Sequence, residues 1–220
     1  MKRLFTTILA TAFLASVAFA AEEIAIVKAK ESGECASECA KGCPIELAMG
    51  KLPKLTYKVG KEQTCCSKSA AELAKKHDAK MQFVVAKKTY AKEGEAMLAL
   101  AKETEKFVAA FATPSECKVS GKFTVAGKEL CCSVMAGQRA ELAKKAMSKV
   151  EMAYAVGEKE CNCPNQAAAL AKQTGKEKLF VVAGEKTGCS VTARLKLAQA
   201  KYKAAVEALA KADAKTADAS

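Results

Sequence analysis

The chain has 220 residues and a formal net charge of +12; half of its residues are apolar, aromatics make up 5% and tryptophan is absent. The positive charge is almost all lysine interleaved with glutamate, whereas nucleic-acid recognition recruits arginine forks and stacking aromatics, so a solvated lysine-rich surface is the reading and nucleic acid is not a partner. His77 is the only histidine, which excludes a histidine-rich metal cage and Cys-x-x-Cys-His haem attachment, and no phosphate-cradling glycine loop or dinucleotide fingerprint occurs.

At the N-terminus, Lys2 and Arg3 precede an apolar run from Leu4 to Ala20 that ends in Ala18-Phe19-Ala20. This is the pattern of a secretory signal over 1–20, cleaved before Ala21. An uncleaved anchor is the alternative; the threonines, Ser16 and a run shorter than the ~20 residues of a membrane span argue against it. The expected location is periplasmic or secreted. Removal of Lys2 and Arg3 lowers the formal charge to +10, enough for loose attraction to anionic envelope surfaces. All eleven cysteines lie beyond the expected cleavage point, in a compartment where disulfides persist. Eleven is odd, so at least one thiol is free, metal-bound or paired with another molecule. Much of the apolar content is alanine, which predicts thin cores of the kind commonly stapled by disulfides or metal.

The segment 21–54 carries Cys35, Cys39 and Cys43, spaced by four, which places them on one face if the stretch is helical; Pro44 would end such a helix. Three sulfurs there could ligate a soft ion, or each could pair with a cysteine elsewhere, Cys65-Cys66 being natural partners.

From 55 onward a short unit recurs. It opens with an aromatic and a valine two apart: Tyr57-Val59, Phe83-Val85, Phe123-Val125, Tyr154-Val156 and Phe180-Val182. A turn rich in Gly and Lys follows, as in Gly60-Lys61-Glu62, Lys87-Lys88 or Gly127-Lys128-Glu129, and reads as a hairpin. One or two cysteines come next, except in the second unit, where Tyr90-Ala91 takes roughly that place. An alanine-rich helical stretch completes the unit, and Ala-Glu-Leu-Ala-Lys-Lys occurs verbatim at 71–76 and 140–145. On a longer scale, 57–112 aligns without a gap onto 154–209 at a constant offset of 97, sharing Tyr57/Tyr154, Gly60/Gly157, Cys66/Cys163, Leu73/Leu170 and Phe83/Phe180. The expected fold is α+β: hairpin-plus-helix units in two related modules, 55–113 with two units and 114–211 with three, broken at Thr113-Pro114-Ser115. Met97, Leu100, Thr104, Phe107 and Phe111 form one helical stripe, and Val191, Leu195, Ala198, Tyr202, Val206 and Leu209 another, both expected to pack on the sheets. The tail 212–220 has no large apolar residue and is expected to be disordered.

The cysteines repeat as well. Cys43 and Cys117 precede hairpins, and the adjacent pairs Cys65-Cys66 and Cys131-Cys132 follow them at a helix start, where the thiolate is favoured. The run Cys117-Lys118-Val119-Ser120-Gly121, continued by Val125 to Cys132, and the run from Cys43-Pro44 to Cys65-Cys66 resemble the YHS and TRASH families of small metal-binding domains. That resemblance implies a hairpin-helix fold and transition-metal binding, as in sensors, chaperones or accessory domains of metal pumps. The families' further cysteine, a turn past the pair, is replaced by Ser69 in one module and by Met135 in the other; methionine suits copper, serine does not. The candidate ligands are Cys43, Cys65, Cys66, Cys117, Cys131, Cys132 and Met135, for zinc or copper. Cys161-Asn162-Cys163 could instead cycle as a redox dithiol, but no Cys-x-x-Cys exists. No catalytic constellation appears. The reading is an exported cysteine-rich binding protein of the cell envelope for soft metal ions. A disulfide-stapled structural or protein-interaction module is its rival, with an envelope protein as partner, and a thiol-disulfide oxidoreductase stands third.

Overall fold

A computed structural model describes residues 44–217; the expected signal at 1–20 and the segment with Cys35, Cys39 and Cys43 lie outside the described residues. Pro44 opens a helix, α1 (Pro44–Met49). Proline suits a first helical position because its fixed φ is already helical and its missing N–H has no partner to lose.

Each aromatic-x-valine pair lies in the first strand of a hairpin, and each hairpin feeds a helix. In chain order these are β1 (Thr56–Val59), β2 (Glu62–Thr64), α2 (Ser67–Lys76), β3 (Met81–Val85), β4 (Lys88–Tyr90) and α3 (Glu93–Phe111). A two-residue strand β5 (Ser115–Glu116) then precedes β6 (Phe123–Val125), β7 (Lys128–Leu130) and α4 (Ser133–Ser148). The chain ends with β8 (Met152–Val156), β9 (Lys159–Cys161), α5 (Pro164–Thr174), β10 (Lys178–Val182), β11 (Glu185–Thr187) and α6 (Ser190–Ala217). The fold is α+β, with three small antiparallel sheets ordered β2-β1-β3-β4, β11-β10-β8-β9 and β5-β6-β7.

The ungapped repeat is a repeat of register. Tyr57 opposes Phe83 and Val59 opposes Met81; 97 residues on, Tyr154 opposes Phe180 and Val156 opposes Lys178. The aromatic pairs meet at 5.8 Å and 5.7 Å between ring centroids. A slip of one residue would turn the valines and aromatics away from the helices, so the buried face holds the register.

All five hairpins turn on two residues directly after the buried valine, one position earlier than the Gly-Lys runs of the second and third units point to. Gly60 and Gly157 supply the positive φ in the corresponding units one and four. In the other three, both turn residues have positive φ: Ala86-Lys87, Ala126-Gly127 and Ala183-Gly184. That is the geometry whose twist matches paired strands.

The helical stripes reach further than their own sheets. Leu195 of α6 joins the core of the first sheet with Tyr57, Val59, Phe83 and Val85. Tyr202 is buried edge-on against Phe107 and Phe111 of α3, with ring centroids 5.4 Å and 4.7 Å away, and its hydroxyl donates to the Ala48 carbonyl at 3.2 Å. Leu209 packs with Ala143 of α4 and Ala112. One long helix therefore ties α1, α3 and α4 together, and all eight described cysteines are free thiols in the folded unit. The helix also runs through most of the tail expected to be disordered. Arg139 donates to Asp213 at 2.8 Å and 3.1 Å and Lys128 at 2.7 Å, so charge pairing anchors what apolar burial does not. The Arg139 hydrogen bonds, then Lys128, hold the Asp213 carboxyl below its ordinary range.

The five units share a packing rule. The valines Val59, Val85, Val125, Val156 and Val182 are all buried, and the alanines Ala70, Ala96, Ala136, Ala167 and Ala193 are all 0% exposed. In four units the alanine packs in one cluster with the hairpin's valine. The helix start approaches the hairpin so closely that only a methyl group fits. Ala70→Leu or Ala167→Leu is expected to cost about 1–3 kcal/mol by overpacking, read as a lower urea midpoint. Ala71→Leu, one residue along on the exposed face, should stay within about 0.5 kcal/mol. Equal losses at 70 and 71 would contradict the rule.

Candidate functional site

Seven residues after each buried valine comes the residue that caps the next helix. Cys66, Cys132 and Cys163 are the N-caps of α2, α4 and α5, and Lys92 that of α3. Cys189 stands at the same place before α6. In all five units this residue's carbonyl accepts from the amide of the buried alanine four positions on, at 3.0–3.2 Å. The second unit thus has Lys92 at the cysteine position, rather than Tyr90-Ala91. Three residues past the cap the side chain varies: Ser69, Glu95, Met135, Gln166 and Thr192. Lys92 and Glu95 form an ion pair at 3.8 Å. The constant interval was present in the sequence as Val-x6-Cys-x3-Ala, and aligning the units on valine rather than on the turn glycines finds it.

A cap cysteine sits where four backbone amides lack helical partners, so its sulfur faces positive potential. The Ser69 amide, its hydroxyl and the Lys68 amide lower the Cys66 thiol below its ordinary value. At Cys189 the Thr192 hydroxyl acts first and the Thr192 amide second. At Cys132 the Met135 amide is the main cause, opposed by burial and aided by the Cys131 thiol. Cys66 and Cys132 make no full capping hydrogen bond to the first turn, so amide polarity rather than an ideal cap favours the thiolate. Thr64 and Thr187 hold the loops by accepting from the amides of Cys66 and Cys189 at 3.2 Å and 3.3 Å. Cys117 begins a tight loop closed by Gly121 N–H to its carbonyl at 2.8 Å, and the Ser120 hydroxyl, then the Ser120 and Val119 amides, lower its thiol.

Of the candidate ligands, Cys131 and Met135 are brought into contact: the thiol meets the thioether at 3.6 Å, and Cys132 adjoins them. Cys117 emerges at the same end of the three-stranded sheet, but β6 stands between its strand and the one leading to Cys131. Two strand spacings are about 10 Å, beyond the reach of a disulfide. Cys117, Cys131 and Cys132 do not gather into one ligand group, and among the described residues no three His, Cys, Asp or Glu side chains do. Cys65 and Cys66 are exposed neighbours with Ser69 as the third group, and Cys43 lies outside the described residues. Cys161 contacts the Cys163 carbonyl at 3.7 Å. Cys163 and Cys189 follow opposite edge strands of the second sheet, running in opposite directions, and so sit at opposite ends of it. His77 is an exposed side chain 3.4 Å from Glu62.

Compared with protein-family models, curated proteins and solved structures, the chain matches none. The resemblance to YHS and TRASH domains therefore stays one of sequence pattern alone.

Alkylation follows the thiolate fraction, so Cys66 and Cys189 should label at lower pH in the folded protein than in urea. Ser69→Ala should shift the Cys66 profile upward in pH, and Thr192→Val that of Cys189, each slowing labelling at neutral pH. Site-resolved mass spectrometry across pH reads both. Profiles that coincide in folded and denatured protein would contradict the electrostatic account.

Proposed function

We propose that the protein is a non-catalytic, exported thiol-rich binding protein of the cell envelope that takes soft transition-metal ions, cuprous ion first, at the sulfurs of Cys131, Cys132 and Met135. The observation that carries this is the sulfur contact of 3.6 Å between Cys131 and Met135, on a methionine that is 48% exposed and belongs to no core cluster. A methionine placed for packing would be buried with Val125, Leu130 and Ala136. Metal–sulfur bonds of about 2.3 Å put the sulfurs of a three-ligand site about 4 Å apart, close to the spacing already present. Two thiolates and a thioether are soft donors, and Cys132 is favoured as thiolate, so a cuprous ion suits the set better than zinc. Binding would release protons and fade as pH falls through the lowered Cys132 value.

A protein-interaction role is favoured by one other feature. Val119, on the loop after Cys117, is 96% exposed, and Val134, in the first turn of α4 beside these sulfurs, is 66% exposed, so a partner could cover them while receiving the ion.

The test is competition titration of reduced full-length protein with cuprous ion. Cys131→Ser/Cys132→Ser should lower the stoichiometry by one ion. Met135→Leu should weaken that site about tenfold for cuprous ion and less for zinc, since only softness is lost. Cys117→Ser should leave it unchanged. Unaltered stoichiometry in the double serine variant would sink the proposal.

A further inference from the structure

The first sheet turns its other face away from α2 and α3. Tyr57, Val59, Phe83 and Val85 point to the helices, so by strand alternation Thr56, Lys58 and Val84 point the opposite way. On that side lies an open cleft of about 460 Å³, with Lys54, Lys58, Lys61 and Lys87 spread along it beside Gln63 and Thr89. Its volume is that of a small-molecule site, yet only Val84 and Ala86 are apolar among its lining residues, so an apolar ligand has little to pack on. No carboxylate lines it, and none of the four lysines has an ion-pair partner among the described residues. The concentration is local, since most lysine elsewhere is interleaved with glutamate.

Two comparisons within the chain single the cleft out. At an offset of 97, Lys54, Lys58, Lys61 and Lys87 correspond to Glu151, Ala155, Glu158 and Gly184, so the second sheet carries the same register without these four lysines; its Lys186, at the place of Thr89, is paired with Glu160 at 3.1 Å. Lys87 also holds a φ of 68°, in a turn where its counterpart is Gly184 at 83°. Glycine adopts that conformation without strain and lysine does not. Strain retained at one copy, where the other copy has relieved it, accompanies a side chain placed over the cleft.

We infer that this face is an anion site for phosphate-bearing ligands, separate from the sulfur site and independent of any metal. Four unpaired ammonium groups around a hydrophilic cleft suit a compact, multiply charged anion, for which lysine serves as a point charge. The two arginines outside the expected signal, Arg139 and Arg194, are engaged with Asp213 and Glu105 and take no part.

The experiment uses full-length protein, tripolyphosphate as soluble probe, and phosphatidylcholine vesicles with and without phosphatidylglycerol. Tripolyphosphate is expected to bind more weakly as salt rises. Lys58→Gln/Lys87→Gly should weaken it at least about tenfold, and Lys186→Gln on the second sheet should not. Lys87→Gly alone should raise the melting temperature by about 1–3 °C without ligand, which separates lost binding from lost folding. Retention on phosphatidylglycerol vesicles, reversed by tripolyphosphate, supports a site whose phosphate is lipid-borne. Binding of tripolyphosphate without vesicle retention supports a site for soluble phosphate esters. Failure of both probes, or equal binding by the double lysine variant, overturns the inference.

Discussion

The structure depends on a fixed interval between two buried contacts. In each unit a valine on the first strand and an alanine in the first turn of the helix are buried eleven residues apart, and in four of the five they meet in the same core. The hairpin must turn in two residues and the helix must start after a fixed count, or one contact is lost. Burying a valine contributes about 1.5–3 kcal/mol, and the alanine adds close approach rather than area. The side chain between them, at the helix cap, is held at the hairpin's base without being needed for packing. Lys92 demonstrates this freedom, since α3 forms with lysine where the other helices have cysteine.

Fold and chemistry are thereby separated along the chain. Valine and alanine are constrained by packing, while the cap and the residue three beyond it are free to vary. Cysteine with serine or threonine gives a thiol lowered by hydroxyl and amide, and cysteine with methionine gives adjoining sulfurs. Lysine with glutamate gives an ion pair. The same scaffold thus sets out different surface groups at equivalent places, and α6 gathers the units through Leu195, Tyr202 and Leu209.

Much of the fold was legible because its signals are periodic. The aromatic-x-valine alternation marked every hairpin, and the constant offset of 97 anticipated a common strand pairing. Other signals misled for physical reasons. The hexapeptide at 71–76 and 140–145 looks like one structural position, yet it starts five residues past the cap in α2 and eight past it in α4. Ala71 is exposed and Ala140 buried in consequence. Glycines drew the eye to the turns, but Ala86-Lys87 turns without one. The order of the tail depends on Asp213 meeting Arg139, a contact 74 residues distant that composition cannot reveal. At the sulfur site, spacing alone paired Met135 with Cys131, whereas the separation of Cys117 follows from β6 lying between, which is topology rather than pattern.

Soft-metal binding at unit three is the functional claim on which the account stands, and it concerns the identity and number of sulfur neighbours around one ion. X-ray absorption on the reduced protein carrying one equivalent of cuprous ion measures both. The account predicts a shell of three sulfurs at about 2.3 Å, falling to two in Met135→Leu. A shell containing oxygen or nitrogen, or one that Met135→Leu leaves unchanged, would contradict it.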